Sequence, residues 1–300
     1  MSQDNIEETA EALSSCCASC GIVEIDDIKL KECDGCDLVQ YCGDECQNNH
    51  KSEHEEEYKK RAAELRDELL FKQPESSHWG DCPICSLPLP IDITKSTLMT
   101  CCSKTVCNGC FEANQMREWE MGLQLSCPFC RITKEESGKQ RIKRIEANDP
   151  VAMRQEGGKH YDKGEYRSAF EYYTKAAELG DVEAHFLLGS LYNNGQGVEK
   201  DNRKRFHHWE EAAIGGHPHA RHHLGSLENK NGKVERAVQH WIIAATQGQD
   251  ESIKALTRAF RDGCVEKGVF ASALRAHKAA VDATKSPQRE QAEFWIRMNI

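Results

Sequence analysis

Cysteine placement constrains this chain more than any other feature. Fifteen of its 16 cysteines fall between residues 16 and 130, and only Cys264 lies beyond. Most are paired across gaps of two or three residues: Cys17/Cys20, Cys33/Cys36, Cys42/Cys46, Cys82/Cys85, Cys107/Cys110 and Cys127/Cys130, with Cys101 and Cys102 adjacent. Two-residue gaps let both sulfurs of a knuckle face one ion, and Zn2+ accepts thiolate and imidazole tetrahedrally without redox chemistry. A segment of about 45 residues cannot bury enough apolar surface to fold unaided, whereas structural zinc contributes on the order of 10 kcal/mol. Zinc is therefore the expected cofactor, in up to four ions. A secreted disulfide scaffold would open with an apolar signal segment. This chain opens Met1-Ser2-Gln3-Asp4 and has no long apolar run, so reduced thiols in the cytoplasm or nucleus are expected, with no membrane partner.

The formal net charge of -10 argues against a nucleic-acid partner, which would need an excess of Lys and Arg to neutralise phosphates. Lys139 to Arg144 is the local exception. It reads as a solvated linker face, with a nuclear-localisation signal as the alternative.

The first series, Cys17, Cys20, Cys33, Cys36, Cys42 and Cys46 followed by His50 and His54, resembles the MYND zinc finger. The likeness rests on Cys33-Asp-Gly-Cys36 and Tyr41-Cys42-Gly-Asp-Glu-Cys46-Gln47 with His54 following. That family interleaves its ligand pairs. By resemblance one zinc takes Cys17, Cys20, Cys42 and Cys46, and the other takes Cys33, Cys36, His54 and a final ligand. The family places a cysteine four residues after the histidine, where this chain has Tyr58. His50, on the same face as His54 if the segment is helical, can supply the missing nitrogen. A water-completed site, a weak site, or Cys16 are the alternatives. MYND domains commonly bind proline-containing peptides through an aromatic residue at the position that Lys51 occupies here, although Gln47 is retained.

Glu53 to Phe71 reads as a charged helix with an apolar stripe of Tyr58, Ala62, Leu65 and Leu69, stopped by Pro74. Beyond it, Asp81-Cys-Pro-Ile-Cys85, Cys107-Asn-Gly-Cys110 and Ser126-Cys-Pro-Phe-Cys-Arg131 resemble a RING finger. The resemblance implies one zinc on Cys82, Cys85, Cys107 and Cys110 and a second on Cys101, Cys102, Cys127 and Cys130. Lys104 stands where the family has histidine, and a protonated lysine is no ligand. In ligase members the positions of Ile84 and Pro128 form an apolar shelf for a ubiquitin-conjugating enzyme, and that of Arg131 bridges enzyme and ubiquitin.

After Asn148 the chain repeats itself. Ala176-Ala-Glu-Leu-Gly180 recurs as Ala212-Ala-Ile-Gly-Gly216 and as Ala244-Ala-Thr-Gln-Gly248, Leu188-Gly189 recurs as Leu224-Gly225, and Asp149-Pro-Val-Ala152 mirrors Asp181-Val-Glu-Ala184. Each unit reads as two helices with glycine between successive units. The pattern resembles the Sel1-like repeat, a relative of the tetratricopeptide repeat, whose loop signature appears as Asn194-Gly-Gln-Gly-Val198 with Asp201. Trp209 and Trp241 are read as packing between repeats. The cluster His217, His219, His222 and His223 is read as solvated helix surface rather than metal site, and Cys264 as a buried or partly buried thiol.

The expected fold class is multidomain: two small zinc-bound α+β modules followed by an all-α helical-repeat solenoid. The expected divisions are a disordered tail (1–15), a MYND-like finger (16–58), a connecting helix and linker (59–80), a RING-like finger (81–132), a charged linker (133–148), Sel1-like repeats (149–283) and a C-terminal tail or helix (284–300). The expected function is an intracellular zinc-binding adaptor whose repeats hold a protein client. The alternative is a RING-type ubiquitin ligase that meets a conjugating enzyme through Ile84, Pro128 and Arg131. No nucleotide loop and no nucleophile with a matching base is visible, so no catalytic residue is assigned.

Overall fold

The computed structural model describes residues 17–19, 29–32, 39–50 and 55–298, excluding the side chains of 55–58. The candidate ligands Cys20, Cys33, Cys36 and His54, together with Cys16 and Lys51, lie outside the described residues. The chain divides into two compact units at Lys72/Gln73.

In the first unit, β1 (Lys31–Glu32) and β2 (Gln40–Tyr41) pair antiparallel, and helices α1 (Asp44–His50) and α2 (Glu55–Phe71) follow. Cys17 bridges to Gln40 and is buried with Tyr41, while Leu30, Val39, Cys42 and Cys46 pack against the two. On α2 Ala62 and Leu65 of the expected apolar stripe are half-buried, but its last position moves by one residue. Leu70 is buried and Leu69 is 54% exposed.

The second unit joins what the sequence divides into a cysteine module, a linker, repeats and a tail. Its cysteine-rich part holds β3 (Ser96–Met99), antiparallel to β4 (Lys104–Cys107), and then α3 (Asn108–Glu120). The segment expected as a charged linker is largely a helix, α4 (Lys134–Glu146). It is ordered by specific pairs, since Arg141 is buried against Glu156 at 2.9 Å and Arg144 meets both Ser103 and Asp149. Lys139 and Lys143 remain exposed, whereas Arg141 and Arg144 are drawn into these pairs.

Four helical hairpins follow: α5 (Pro150–Asp162) with α6 (Tyr166–Glu178), α7 (Val182–Asn194) with α8 (Asn202–Ile214), α9 (Pro218–Lys230) with α10 (Val234–Thr246), and α11 (Asp250–Arg261) with α12 (Lys267–Ala283). Each first helix starts on a side-chain cap, from Asp149, Asp181, His217 and Gln249 in turn, which satisfies N–H groups that have no helical partner. Gly180, Gly216 and Gly248, one residue before three of these caps, have φ of 85°, 85° and 94°, a region L side chains avoid.

Close packing within the first three hairpins depends on glycine facing an aromatic ring. A Cβ on Gly157, Gly189 or Gly225 would lie 2.6, 2.3 or 2.6 Å from Tyr173, Trp209 or Trp241. The two tryptophans thus close their own hairpins as well as reaching the next repeat, where Trp209 stacks on His223 and Trp241 joins the cluster around Leu256. Cys264 is exposed rather than buried, because it sits in the turn after Gly263 and the inward position goes to Val265. The C-terminal segment forms α13 (Pro287–Met298), which returns to pack on α3.

Candidate functional site

All the described cysteines but Cys264 gather in three groups. The thiols of Cys82, Cys85, Cys107 and Cys110 all lie within 4.8 Å of one another, as do those of Cys101, Cys102, Cys127 and Cys130, and those of Cys17, Cys42 and Cys46. The four-cysteine groups interleave along the chain, first pair with third and second with fourth. Zn–S bonds of about 2.3 Å in a tetrahedron place sulfurs roughly 3.8 Å apart. The Cys85–Cys107 and Cys102–Cys127 separations are 3.8 and 3.9 Å, close to that spacing, while Cys101 and Cys130 at 3.3 Å would move apart by about half an ångström to hold the ion.

Local backbone chemistry builds these groups. Two knuckles share one design: the Ser86 N–H donates to the Cys82 carbonyl at 2.8 Å and the Arg131 N–H to the Cys127 carbonyl at 2.9 Å. The residue that closes each turn is left-handed, with φ of 55° at Ser86 and 64° at Arg131. The adjacent Cys101 and Cys102 are presented by the turn between β3 and β4, where Ser103 takes the left-handed conformation at φ 55°. The last pair of the first group lies at the start of α3, where the Cys110 N–H donates to the Cys107 sulfur at 3.4 Å. Buried Glu118 ties α3 to the second group by accepting from the N–H and hydroxyl of Ser126 at 2.9 and 2.6 Å.

Burial and crowding by neighbouring thiols push Cys101 and Cys110 upward. Burial also raises Cys107, and it raises Cys102 to about 11 against a backbone hydrogen bond from Lys104. A bound dication reverses that preference, so loading each group releases protons. Cys130 shifts the other way, burial being outweighed by hydrogen bonds from the Ile132 N–H and the neighbouring thiols, and Cys85 does so too. Burial disfavours its thiolate, but hydrogen bonds from the Leu87 N–H and from Arg289 outweigh it and bring the pKa to about 7.

Arg289 is a site residue that the cysteine pattern does not reveal. It reaches from α13 into the first group and is 6% exposed. Nη1 donates to the carbonyls of Pro88 and Thr284, both at 2.7 Å, and Nη2 to the Leu87 carbonyl at 3.1 Å and the Cys85 sulfur at 3.4 Å. Gly109 makes room, since a Cβ there would lie 3.0 Å from the Arg289 backbone nitrogen.

A second polar group joins the start of this unit to the repeats. His78 Nε2 lies 3.0 Å and His217 Nε2 3.2 Å from the same oxygen, Oε2 of Glu183 on α7. His217 Nδ1 accepts from the Ala220 N–H as the cap of α9, so its Nε2 carries the proton and donates to the carboxylate. The His78 and His217 rings stack with an interplanar angle of only 10°. Nearly parallel, stacked rings cannot both direct in-plane lone pairs at one ion, and His217 has no lone pair left for it. The arrangement is a hydrogen-bonded clamp rather than a metal site. Burial opposes the Glu183 charge, yet the imidazole donors hold its carboxyl well below the usual range, while burial pushes His217 down to about 4 despite Glu183. The neighbouring linker adds a His78 N–H bond to the Gly216 carbonyl at 3.3 Å and a Gln73 bond to Thr246 at 2.8 Å.

The other histidines of the cluster also have separate occupations. His219 accepts from Gln249 at 2.9 Å, His222 meets Ser252 at 3.0 Å, and His223 stacks on Trp209. They form no shared ligand set, and His217 is buried rather than solvated. In the first unit, the Cys42 and Cys46 sulfurs lie 3.5 Å apart, and His50 Nδ1 lies 3.1 Å from the Tyr41 hydroxyl. Ile84 is 44% exposed, Pro128 is half-buried, and Arg131 is exposed but donates to Asn114 at 2.9 Å.

Comparison with known proteins is consistent with two parts of this architecture. The MYND finger family matches residues 17–57, which makes this a zinc-binding segment, and the Sel1 repeat family matches residues 151–181 and 182–217. Over 106 residues the chain is 32% identical to chitin synthase regulatory factor 4 of Schizosaccharomyces pombe, covering 33% of this chain and 17% of that protein. Among solved structures, a Sel1 repeat protein from Oxalobacter formigenes aligns with a TM-score of 0.42 at 21% identity, covering 59% of this chain and 73% of the other. The uropathogenic Escherichia coli antigen c5321, which has an SLR fold, aligns with a TM-score of 0.38 at 22% identity, covering 64% and 40%.

Proposed function

We propose that this protein is a zinc-dependent adaptor in which the helical repeats hold a protein client and the MYND finger engages a further protein. The observation that carries this reading is the fastening of the cysteine-rich part of the second unit to its helices by buried polar contacts: Arg289 of the C-terminal helix on the knuckle of Cys82 and Cys85, and Glu183 of the repeats between His78 and His217. A module held this way stiffens a scaffold and extends its surface. The solenoid architecture suits the same role, because stacked repeats present long continuous faces to other chains. The partial relative is named as a regulatory factor, which accords with a non-catalytic role.

The test uses the full-length, zinc-loaded protein as bait, with bound proteins located by cross-linking and mass spectrometry. The adaptor reading expects a stoichiometric client cross-linked to the repeats. A bait that retains no protein above background would end it.

The second reading is a RING-type ubiquitin ligase, favoured by two interleaved four-cysteine groups with Ile84 and Arg131 at the surface of their knuckles. Such a ligase works by holding a charged thioester in a reactive conformation. Autoubiquitination across a panel of conjugating enzymes, lost in both Ile84→Ala and Arg131→Ala with zinc content intact, would support it. Silence across the panel would dismiss it.

A further inference from the structure

A cleft of about 530 Å³ lies between the Pro90–Lys95 segment and the repeats. Trp79, Ile91, Phe186 and Val281 give it apolar walls. Its charged groups are predominantly acidic: Asp92, Asp250 and Glu251 are exposed, and Glu183 is the least exposed of the four. Lys95, the single Lys or Arg on the lining, is engaged with Glu293 at 2.9 Å. His217 and His219, also on the lining, are pushed downward by burial and stay neutral near pH 7. Asp250 meets His277 at 2.9 Å with its carboxylate 69% exposed, and Glu251 meets Lys254 at 3.2 Å in an exposed pair of small worth. Arg154, which stands 5.9 Å over the Trp79 ring, is committed to Asp181 at 2.9 Å.

Glu183 is the distinctive group in this set. Oε2 takes both imidazole donors, whereas Oε1 accepts no hydrogen bond among the described residues. A carboxylate held on one oxygen by two imidazole donors and bordered by Phe186 has the chemistry of a receptor for a cation on an apolar stem.

We propose that this cleft binds a protein segment through an arginine or lysine side chain, its cation meeting Glu183 and its apolar neighbours lying on Ile91, Phe186 and Val281. This rests on the adaptor reading and specifies the client. The acidic rim raises the local concentration of basic segments, and Glu183 supplies the selective contact.

The experiment presents full-length, zinc-loaded protein to pools of random decapeptides whose central residue is fixed as arginine, lysine, glutamine or glutamate, at ~0.15 M salt to screen long-range attraction. Retention of the arginine and lysine pools is expected to exceed that of the glutamine pool by about tenfold or more, the scale of one charge-assisted contact. Glu183→Gln, which keeps an acceptor for both histidines, should abolish that preference. Equal retention of the four pools overturns the proposal. So does an unchanged preference in a folded Glu183→Gln protein, because it would reflect only the bulk charge of an acidic chain. If that variant loses its helical signal, the rim variant Asp92→Asn with Glu251→Gln carries the test, and a preference that does not fall by about threefold overturns it. A client retained by the full chain yet indifferent to these variants sinks the cleft and leaves the adaptor standing.

Discussion

Replacing Arg289 with methionine should loosen one zinc site while leaving the others intact. The side chain makes four donations, to three backbone carbonyls and to the Cys85 sulfur, from a position that is 6% exposed. Methionine keeps much of the buried volume but takes the Arg289 donor from the Pro88 and Thr284 carbonyls, at about 1–3 kcal/mol for each acceptor left dry, while the Leu87 carbonyl still accepts from the Cys82 N–H at 2.9 Å. It also removes the positive charge beside a group that carries two net negative charges when four thiolates hold Zn2+. Loss of an outer-shell partner of a metal ligand typically costs about 10–100-fold in affinity, or about 1.4–2.7 kcal/mol. The assay is zinc release from the reduced full-length protein to a chromophoric chelator, with amplitudes calibrated by elemental analysis. One ion should leave about 10–100-fold faster in Arg289→Met, and Arg289→Lys should fall between, since it retains the charge but not the planar fork. Wild-type kinetics for every ion would refute the coupling. Simultaneous loss of all the zinc would instead show that α13 supports the whole fold rather than this centre.

Adjacent glycines in α5 should respond oppositely to alanine: Gly157→Ala drives a Cβ to 2.6 Å from Tyr173 and should cost about 1–3 kcal/mol, while Gly158→Ala meets nothing nearer than 3.9 Å and should gain up to about 1 kcal/mol, read by chemical denaturation. Equal effects would refute the close-packing account of the repeat glycines. His217 and His240 are buried, and burial pushes them to about 4 and about 3 from 6.5. Below pH 6.5 the unfolded chain therefore binds protons that the folded one refuses, and stability should fall as pH drops toward 4, by about 1.4 kcal/mol per pH unit for each histidine. Melting temperatures that stay level from pH 7 to pH 4.5 would contradict this. Elemental analysis of the reduced protein should find more than two zinc ions per chain, and two or fewer would remove the four-site assignment.

The ligand groups were legible because metal coordination is written locally. A Cys-x-x-Cys knuckle closes within one turn, so the pairing of Cys82 with Cys85 or Cys127 with Cys130 needs no distant information. The repeats were legible for a related reason: a capping side chain recurs in all four hairpins, a left-handed glycine precedes three of the caps, and a glycine faces an aromatic in three hairpins, as at Asp181, Gly180 and Gly189. The stripe on α2 misled by one residue, because Leu69 and Leu70 are equally apolar and only packing selects between them. The polar segment from Thr133 to Asn148 gave no sign that Arg141 would find Glu156 and Arg144 would find Asp149, so a helix was read as a linker.

By itself the sequence determined that zinc organises the first half of this protein and that stacked helical pairs build the second, since both follow from residue types at short, fixed spacings. Only the tertiary structure decided that the second cysteine module and the repeats form one unit. The contacts responsible join residues distant in the chain, Arg289 to Cys85 and His78 to Glu183 and His217, and each is polar. Such groups have no periodicity to announce them. Their partners are fixed by where the chain brings a donor and an acceptor together away from water, and there an unmet hydrogen bond is costly enough to make the pairing specific.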